Sequence, residues 1–229
     1  ADEQDVDGEL QRGRWAMGGC SEFRGNGITI RRDLLLDVGG WQAHALTEDI
    51  DLASRIAAAH GVTVAWALDA EVWEEPVRTW RGLLRQRLRW AEGGLRRNLE
   101  HGGAVLASPR LNATQKRDFA IYGGQLLAPP LILGAIAGAV RRSPAGAVIL
   151  VGTYMAMAGG LAWDALRWEP DADGNPPPPR ERLARSARQG LFSAFWLAAI
   201  PGAMWKLATR SGRVRYDKMQ HHGSGDDPA

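Results

Sequence analysis

Thr47-Glu48-Asp49-Ile50-Asp51 opens, and Gln86-Arg87-Leu88-Arg89-Trp90 closes, the stretch whose reading decides the fold. The first cluster predicts a helix start, with Thr47 as N-cap and Asp51, Leu52 and Ile56 carrying the helix onward. A carboxylate held there takes a proton from a hydroxyl when its pKa and geometry suit. Acids also favour the positive end of a helix on their own account, so N-terminal capping is the competing explanation. The second cluster lies on a run of helical pattern. Gln86 and Trp90 are four residues apart and Gln86 and Arg89 three, which places all three on one face. An amide, a guanidinium and an indole side by side suit a diphosphate leaving group and a sugar ring.

Together the two clusters resemble the acceptor and product end of membrane-embedded processive family 2 glycosyltransferases. That group includes the cellulose, chitin, hyaluronan and poly-N-acetylglucosamine synthases. The flanks agree: Gly25-Asn26-Gly27 with Arg31-Arg32, then Val38-Gly39-Gly40-Trp41, then Glu74-Glu75-Pro76. The tail Tyr216-Asp217-Lys218-Met219-Gln220-His221-His222-Gly223 is similar to a Trp-Glu-Lys-Thr-x-His-Gly ending, but departs from it at several positions. The resemblance runs from about Phe23 onward. It implies an α/β fold, the C-terminal part of a GT-A nucleotide-diphospho-sugar transferase domain, followed by transmembrane and interfacial helices. Residues 1–110 would be the acceptor-side half, and 111–229 a membrane region of two or three helices with a basic tail of cytoplasmic type. It also implies roles. Asp49 is the general base, with Thr47 and Glu48 beside it, and Asp51 is a supporting residue. Gly25, Asn26 and Gly27 border the acceptor sugar, Gln86, Arg87 and Arg89 meet the leaving group, and Trp90 is the stacking floor.

Composition narrows the classes. A net charge of +2 over 229 residues, with the arginines local rather than general, gives no case for nucleic acid. A single cysteine, Cys20, rules out an internal disulfide. Ten tryptophans, several beside apolar runs, fit membrane-interface belts. Residues 1–14 are mostly charged, carry no secretory signal, and read as an exposed segment or a severed helix. The opening alanine suggests a fragment, a processed product or a trimmed chain.

Outward from the two clusters, Ile28-Thr29-Ile30 and Val62-Thr63-Val64-Ala65-Trp66 predict strands. Asp33–Val38 predicts a short helix stopped by Gly39-Gly40. Pro76 is expected to open the helix that carries Arg78, Arg81, Arg85, Arg87, Arg89, Arg96 and Arg97. Apart from Arg87 and Arg89, those arginines read as a solvated face or as contacts to anionic headgroups. Phe119 to Val140 and Ala145 to Trp163 are free of charge and near the length that crosses a hydrocarbon core. Gly123-Gly124 and Pro129-Pro130 predict a kink in the first. Residues 169–180 form a polar, proline-rich loop. Its Asp171-Ala172-Asp173 follows no strand, which argues against a metal-binding Asp-x-Asp. Arg180–Arg188 is basic and helical in pattern. Gly190–Ala208 is a third apolar stretch, which either crosses or lies in the interface. His221-His222 reads as surface.

No metal-ligand cluster stands out. The resemblance implies an earlier half that binds the nucleotide-diphosphate sugar and a Mg2+ or Mn2+ ion, and nothing before Phe23 supplies it. The expected partners are therefore that N-terminal half, the donor sugar (a UDP-hexose), a β-linked polysaccharide acceptor and the lipid bilayer. The fragment alone is expected to be inactive. The expected setting is a bacterial inner membrane with the catalytic part cytoplasmic. The alternative function is a non-catalytic scaffold or channel subunit with relic motifs.

Overall fold

The computed structural model describes residues 2–67, 70, 72, 77, 79–168 and 175–209. Glu74-Glu75-Pro76, Arg78, Asp171-Ala172-Asp173 and the tail from 210 onward, all discussed above, lie outside the described residues.

The regular elements among the described residues are helices. They run α1 (Asp2–Ala16), α2 (Arg32–Asp37), α3 (Glu48–His60), α4 (Trp80–Ala107), α5 (Ala113–Gly124), α6 (Ala128–Arg142), α7 (Pro144–Ala165) and α8 (Pro179–Thr209). Two 3-10 turns, Gln125–Leu127 and Leu166–Trp168, follow α5 and α7. Neither expected strand forms among the described residues: 28–30 and 62–66 carry no ladder. A strand is a pairing, so β-branched sequence without a neighbouring edge stays irregular. The 62–66 stretch is instead tied to the 20–22 segment, where the Ser21 hydroxyl donates to the Val64 carbonyl. Residues 1–14 are not an exposed segment. Residues 2–14 instead form most of α1, the helical alternative, and its Gln11 and Arg14 are buried.

Local chemistry sets the boundaries. The short helix α2 ends at Gly39 and Gly40, both at positive φ (+80° and +69°), where the Gly40 N–H returns to the Leu35 carbonyl at 2.8 Å. Thr79 caps α4 by accepting from the Gly82 N–H at 3.1 Å, so this helix starts later than Pro76. Asn112 and Gln115 close a capping box on α5. Ser143 caps α7, with Pro144 at its first position.

Two small cores organise the packing. Cys20, Ala57, Val105, Leu111 and Phe119 join α3, α4 and α5. Ala91, Leu95, Ile200 and Ala203 seal α4 against α8. Glu92, 1% exposed, stands at this second seam and is matched by Lys206 at 2.6 Å and Arg96 at 3.1 Å. The helix α7 crosses α8 on small residues: a Cβ built at Gly190 would stand 2.6 Å from the Met155 carbonyl oxygen. Three helical segments, Ala113–Arg142, Pro144–Ala165 and Pro179–Thr209, are long and apolar enough to cross a membrane. Most of their side chains point outward, Leu131, Val148 and Leu161 among them. The expected interruption of the first is the 3-10 turn at 125–127, just before Pro129-Pro130.

Candidate functional site

The amphipathic helix α3 buries Leu52, Ala53, Ile56 and Ala57, and this fixes its rotation. Its first turn carries Glu48, Asp49 and Asp51. Thr47 occupies the N-cap position but makes no capping hydrogen bond through its side chain. It packs on Gly93 of α4 instead: a Cβ added there would lie 2.4 Å from Thr47 Oγ1. One residue earlier, the Leu46 carbonyl accepts from Arg89 Nη1 at 3.0 Å. These two contacts bring the Thr47–Asp51 and Gln86–Trp90 clusters together.

The loop Gly25-Asn26-Gly27 approaches Asp49. Gly25 has φ +85°, and its Cβ position is 3.6 Å from Asp49 Oδ2. Burial pushes the Asp49 carboxyl up to about 6; backbone N–H groups of Ile50 and Asp49 oppose this, while the charges of Glu48 and Glu22 add to it. A carboxyl so placed is ionised at neutral pH yet basic enough to take a hydroxyl proton.

Asp51, two residues on, is engaged elsewhere. It accepts from Arg55 Nε at 2.9 Å and lies 2.6 Å from His101 Nε2. Burial would raise its carboxyl, but the His101 and Arg55 hydrogen bonds outweigh that and hold its pKa below the usual range. Arg55 also donates to the Val38 and Gly40 carbonyls, bracing the turn after α2.

The second cluster divides. Arg87 is buried, 5% exposed, and pairs with Glu3 of α1; its Nε donates to Glu3 Oε2 at 2.8 Å. Gln86 Oε1 accepts from the same guanidinium, which lies 4.2 Å from the centre of the Trp90 ring. Gln86, Arg89 and Trp90 are each part-exposed. Arg97 is not on a solvated face: it is 4% exposed and paired with Glu22 at 2.8 Å. Arg96 pairs with Glu92, whereas Arg81 and Arg85 are exposed as expected.

Sequence reasoning passed over Gly93, Glu22 and Arg97. A signal for the first existed. Gly93-Gly94 in a helix interior costs about 1 kcal/mol per glycine relative to alanine, and a close approach offsets it. The partners of Arg97 carried no local signal, because Glu22 is remote in sequence.

A scan against family models matches residues 3–168 to the model described as Glycosyl transferase family group 2. The chain belongs to this family. Among curated relatives of the family 2 chain is the Beta-monoglucosyldiacylglycerol synthase of Trichormus variabilis, 29% identical over 98% of this chain and 48% of the relative. The enzyme of the same name from Synechocystis sp. is 30% identical over 98% of this chain and 47% of the relative. The Probable glycosyltransferase YdaM of Bacillus subtilis is 36% identical over 36% of this chain and 20% of the relative. The chain thus spans about half the length of the first two. No solved structure matches.

Membership supports a GT-A-type nucleotide-sugar transferase. The processive subtype expected from sequence is not supported by these relatives, two of which carry names of diacylglycerol glycosylation. Divalent metal is common in family 2 chemistry. Among the described residues, ligand atoms of Asp51, Glu100 and His101 lie within 4.8 Å of one another. They fit a metal poorly, because Arg55 and His101 already occupy the two Asp51 oxygens.

Proposed function

We propose that this chain forms the acceptor side of an inverting glycosyltransferase that moves a hexose from a nucleotide-diphosphate sugar, a UDP-hexose, to a membrane lipid of the diacylglycerol class. The reading rests on one observation. Asp49, with its raised pKa, stands against the Gly25 loop at the start of a helix that Leu46 and Thr47 tie to Arg89 and Gly93 of α4, and α4 lies on the apolar helix α8. The names of the long-matching relatives support the lipid acceptor over a polysaccharide.

The acceptor hydroxyl approaches Asp49, which takes its proton as the oxygen attacks the anomeric carbon. The bond to the nucleotide diphosphate breaks on the opposite face, and the diphosphate leaves with the electron pair. Gln86 and Arg89 face the leaving group, where a guanidinium suits phosphate oxygens. Arg87, committed to Glu3, orients the Trp90 ring from one side, and the sugar stacks on the opposite side. Residues 1–110 belong to the catalytic part on the cytoplasmic side of a bacterial inner membrane, and 111–229 to the membrane region. The donor and its divalent cation are bound by chain outside these residues.

The test is Asp49→Asn in the enzyme that carries this chain, with radiolabelled donor in membranes. Label should enter the organic-extractable lipid fraction and fall by about 10²–10⁴-fold in the variant, the usual contribution of a general base. Label in an ethanol-insoluble polymer would restore the polysaccharide acceptor. Transfer at the wild-type rate in Asp49→Asn would remove Asp49 from the role of base, and no transfer by the wild-type enzyme would favour a scaffold with relic motifs.

A further inference from the structure

The Gln86–Trp90 face of α4 does not stop at Trp90. Gln86, Trp90, Gly93 and Arg97 recur at i, i+4, i+7 and i+11, which makes one stripe along the helix. Each position further along this stripe grips a different part of the site. Gly93 receives Thr47, at the entrance to the Asp49 helix. Arg97 receives Glu22, at the root of the loop that carries Gly25 to Asp49.

The Glu22–Arg97 pair is fully enclosed. Arg97 Nη2 and Glu22 Oε1 are 2.8 Å apart, with side chains 3% and 6% exposed. The guanidinium lies 4.8 Å from the centre of the Phe119 ring, and its Nε and Nη1 have no hydrogen-bond partner among the described residues. The Glu22 backbone N–H donates to Gln11 Oε1 at 3.0 Å, which holds the main chain at the root of the loop. A buried ion pair with unmet donors is a poor source of stability, since desolvation offsets most of the attraction. Its location points to a different use. Glu22 is three residues from Gly25, whose Cβ position is 3.6 Å from the Asp49 carboxylate.

We propose that Glu22 and Arg97 are a positioning pair for sugar transfer, pinning the Gly25-Asn26-Gly27 loop to the Gln86–Trp90 helix and setting the charge that Asp49 faces. This rests on Asp49 as the base. From its own helix Asp49 faces Glu48, and from the loop Glu22; both oppose its ionisation. Glu22 in turn faces Arg97 from α4, Arg14 and Asp7 from α1, and Asp118 from α5. Removing the Glu22 charge takes away one anion and leaves Arg97 uncompensated. Asp49 then ionises more easily; a wetter site would shift it the same way by relieving burial, so the charge effect is separated by Glu22→Asp, which loosens the loop but keeps the anion.

The experiment measures kcat/KM against pH, together with acceptor KM, in membranes holding the intact enzyme at matched folded amounts. The variants are Glu22→Gln, Glu22→Asp, Arg97→Lys and Asp49→Asn. Glu22→Gln should move the acid limb down by about half a pH unit, the scale of one charge acting from beyond contact. It should also raise acceptor KM by roughly three- to tenfold as the loop recedes. Glu22→Asp keeps the charge and should return the limb to the wild-type position while acceptor KM stays raised. An unmoved limb in Glu22→Gln, with Asp49→Asn inactive, overturns the positioning pair and leaves Asp49 as base. An active Asp49→Asn overturns the base assignment, and the pair with it. If Glu22→Gln does not fold, wild-type acceptor KM in both Glu22→Asp and Arg97→Lys overturns the proposal.

Discussion

Gly93→Ala tests whether the two clusters work as one site. A Cβ at this position would lie 2.4 Å from Thr47 Oγ1, 2.5 Å from its Cγ2 and 3.0 Å from its Cβ. Carbon atoms in contact sit about 3.5–4.0 Å apart, so the Thr47 backbone must retreat by about 1 Å. Rotating Thr47 gives no relief, because both branches and the Cβ itself are too close. The helix gains about 1 kcal/mol from replacing a glycine. Overpacking costs about 1–3 kcal/mol. Net stability therefore falls by roughly 0–2 kcal/mol, a change that leaves most of the protein folded. Activity responds more sharply, because Asp49 begins two residues after Thr47 and moves with it. A misplacement of about 1 Å costs about 10²-fold in rate. The assay is sugar transfer in membranes holding the intact enzyme, scaled to folded protein, beside the double variant Thr47→Ala/Gly93→Ala. The second change removes two of the three short contacts and should recover much of the rate. Wild-type transfer by Gly93→Ala alone would show that the Asp49 helix need not sit against α4.

Three further outcomes are expected. With Asp49 pushed up to about 6, kcat/KM should fall about tenfold per pH unit below that value and level off above it, because only the carboxylate accepts a proton; an acid limb near 4 would remove Asp49 from the role. Asp51→Asn should destabilise the protein by about 2–3 kcal/mol at neutral pH, measured by thermal unfolding in detergent. The Asp51 pKa is depressed in the folded state, so this stability is present above the usual carboxylate range and is lost as pH falls through the folded value; an unchanged melting profile would deny the His101–Asp51–Arg55 link its structural role. Gly190→Leu should force α7 and α8 apart, because even a Cβ would stand 2.6 Å from the Met155 carbonyl oxygen; undiminished cysteine cross-linking between engineered pairs on the two helices would refute that.

That Gln86 and Trp90 share one helix was legible because helical periodicity fixes which side chains share a face; that this helix meets the Thr47–Asp51 helix was implied by the family resemblance alone. The apolar stretches were legible from length alone. The strands were not, because 28–30 and 62–66 have the right residues but no partner edge among the described residues. The pairing of Arg87 was not legible for a related reason: its partner Glu3 is 84 residues away, and no local pattern encodes it. Arg97 looked like one more surface arginine for want of its distant carboxylate. What sequence carried least was whether a charged residue on α4 faces water or another helix.

The contacts of Glu3 have a mechanical consequence. One of its carboxylate oxygens holds Arg87 on α4, and the other accepts from the Trp196 indole on α8 at 2.9 Å. Lys206 and Glu92 add a second rivet between the same two helices. Force applied to α8 therefore has a stiff route to the turn that carries Gln86 and Trp90. A spanning helix changes tilt when the bilayer thins or thickens. Through these rivets a change in the tilt of α8 would be carried to α4 at the turn that holds Gln86 and Trp90.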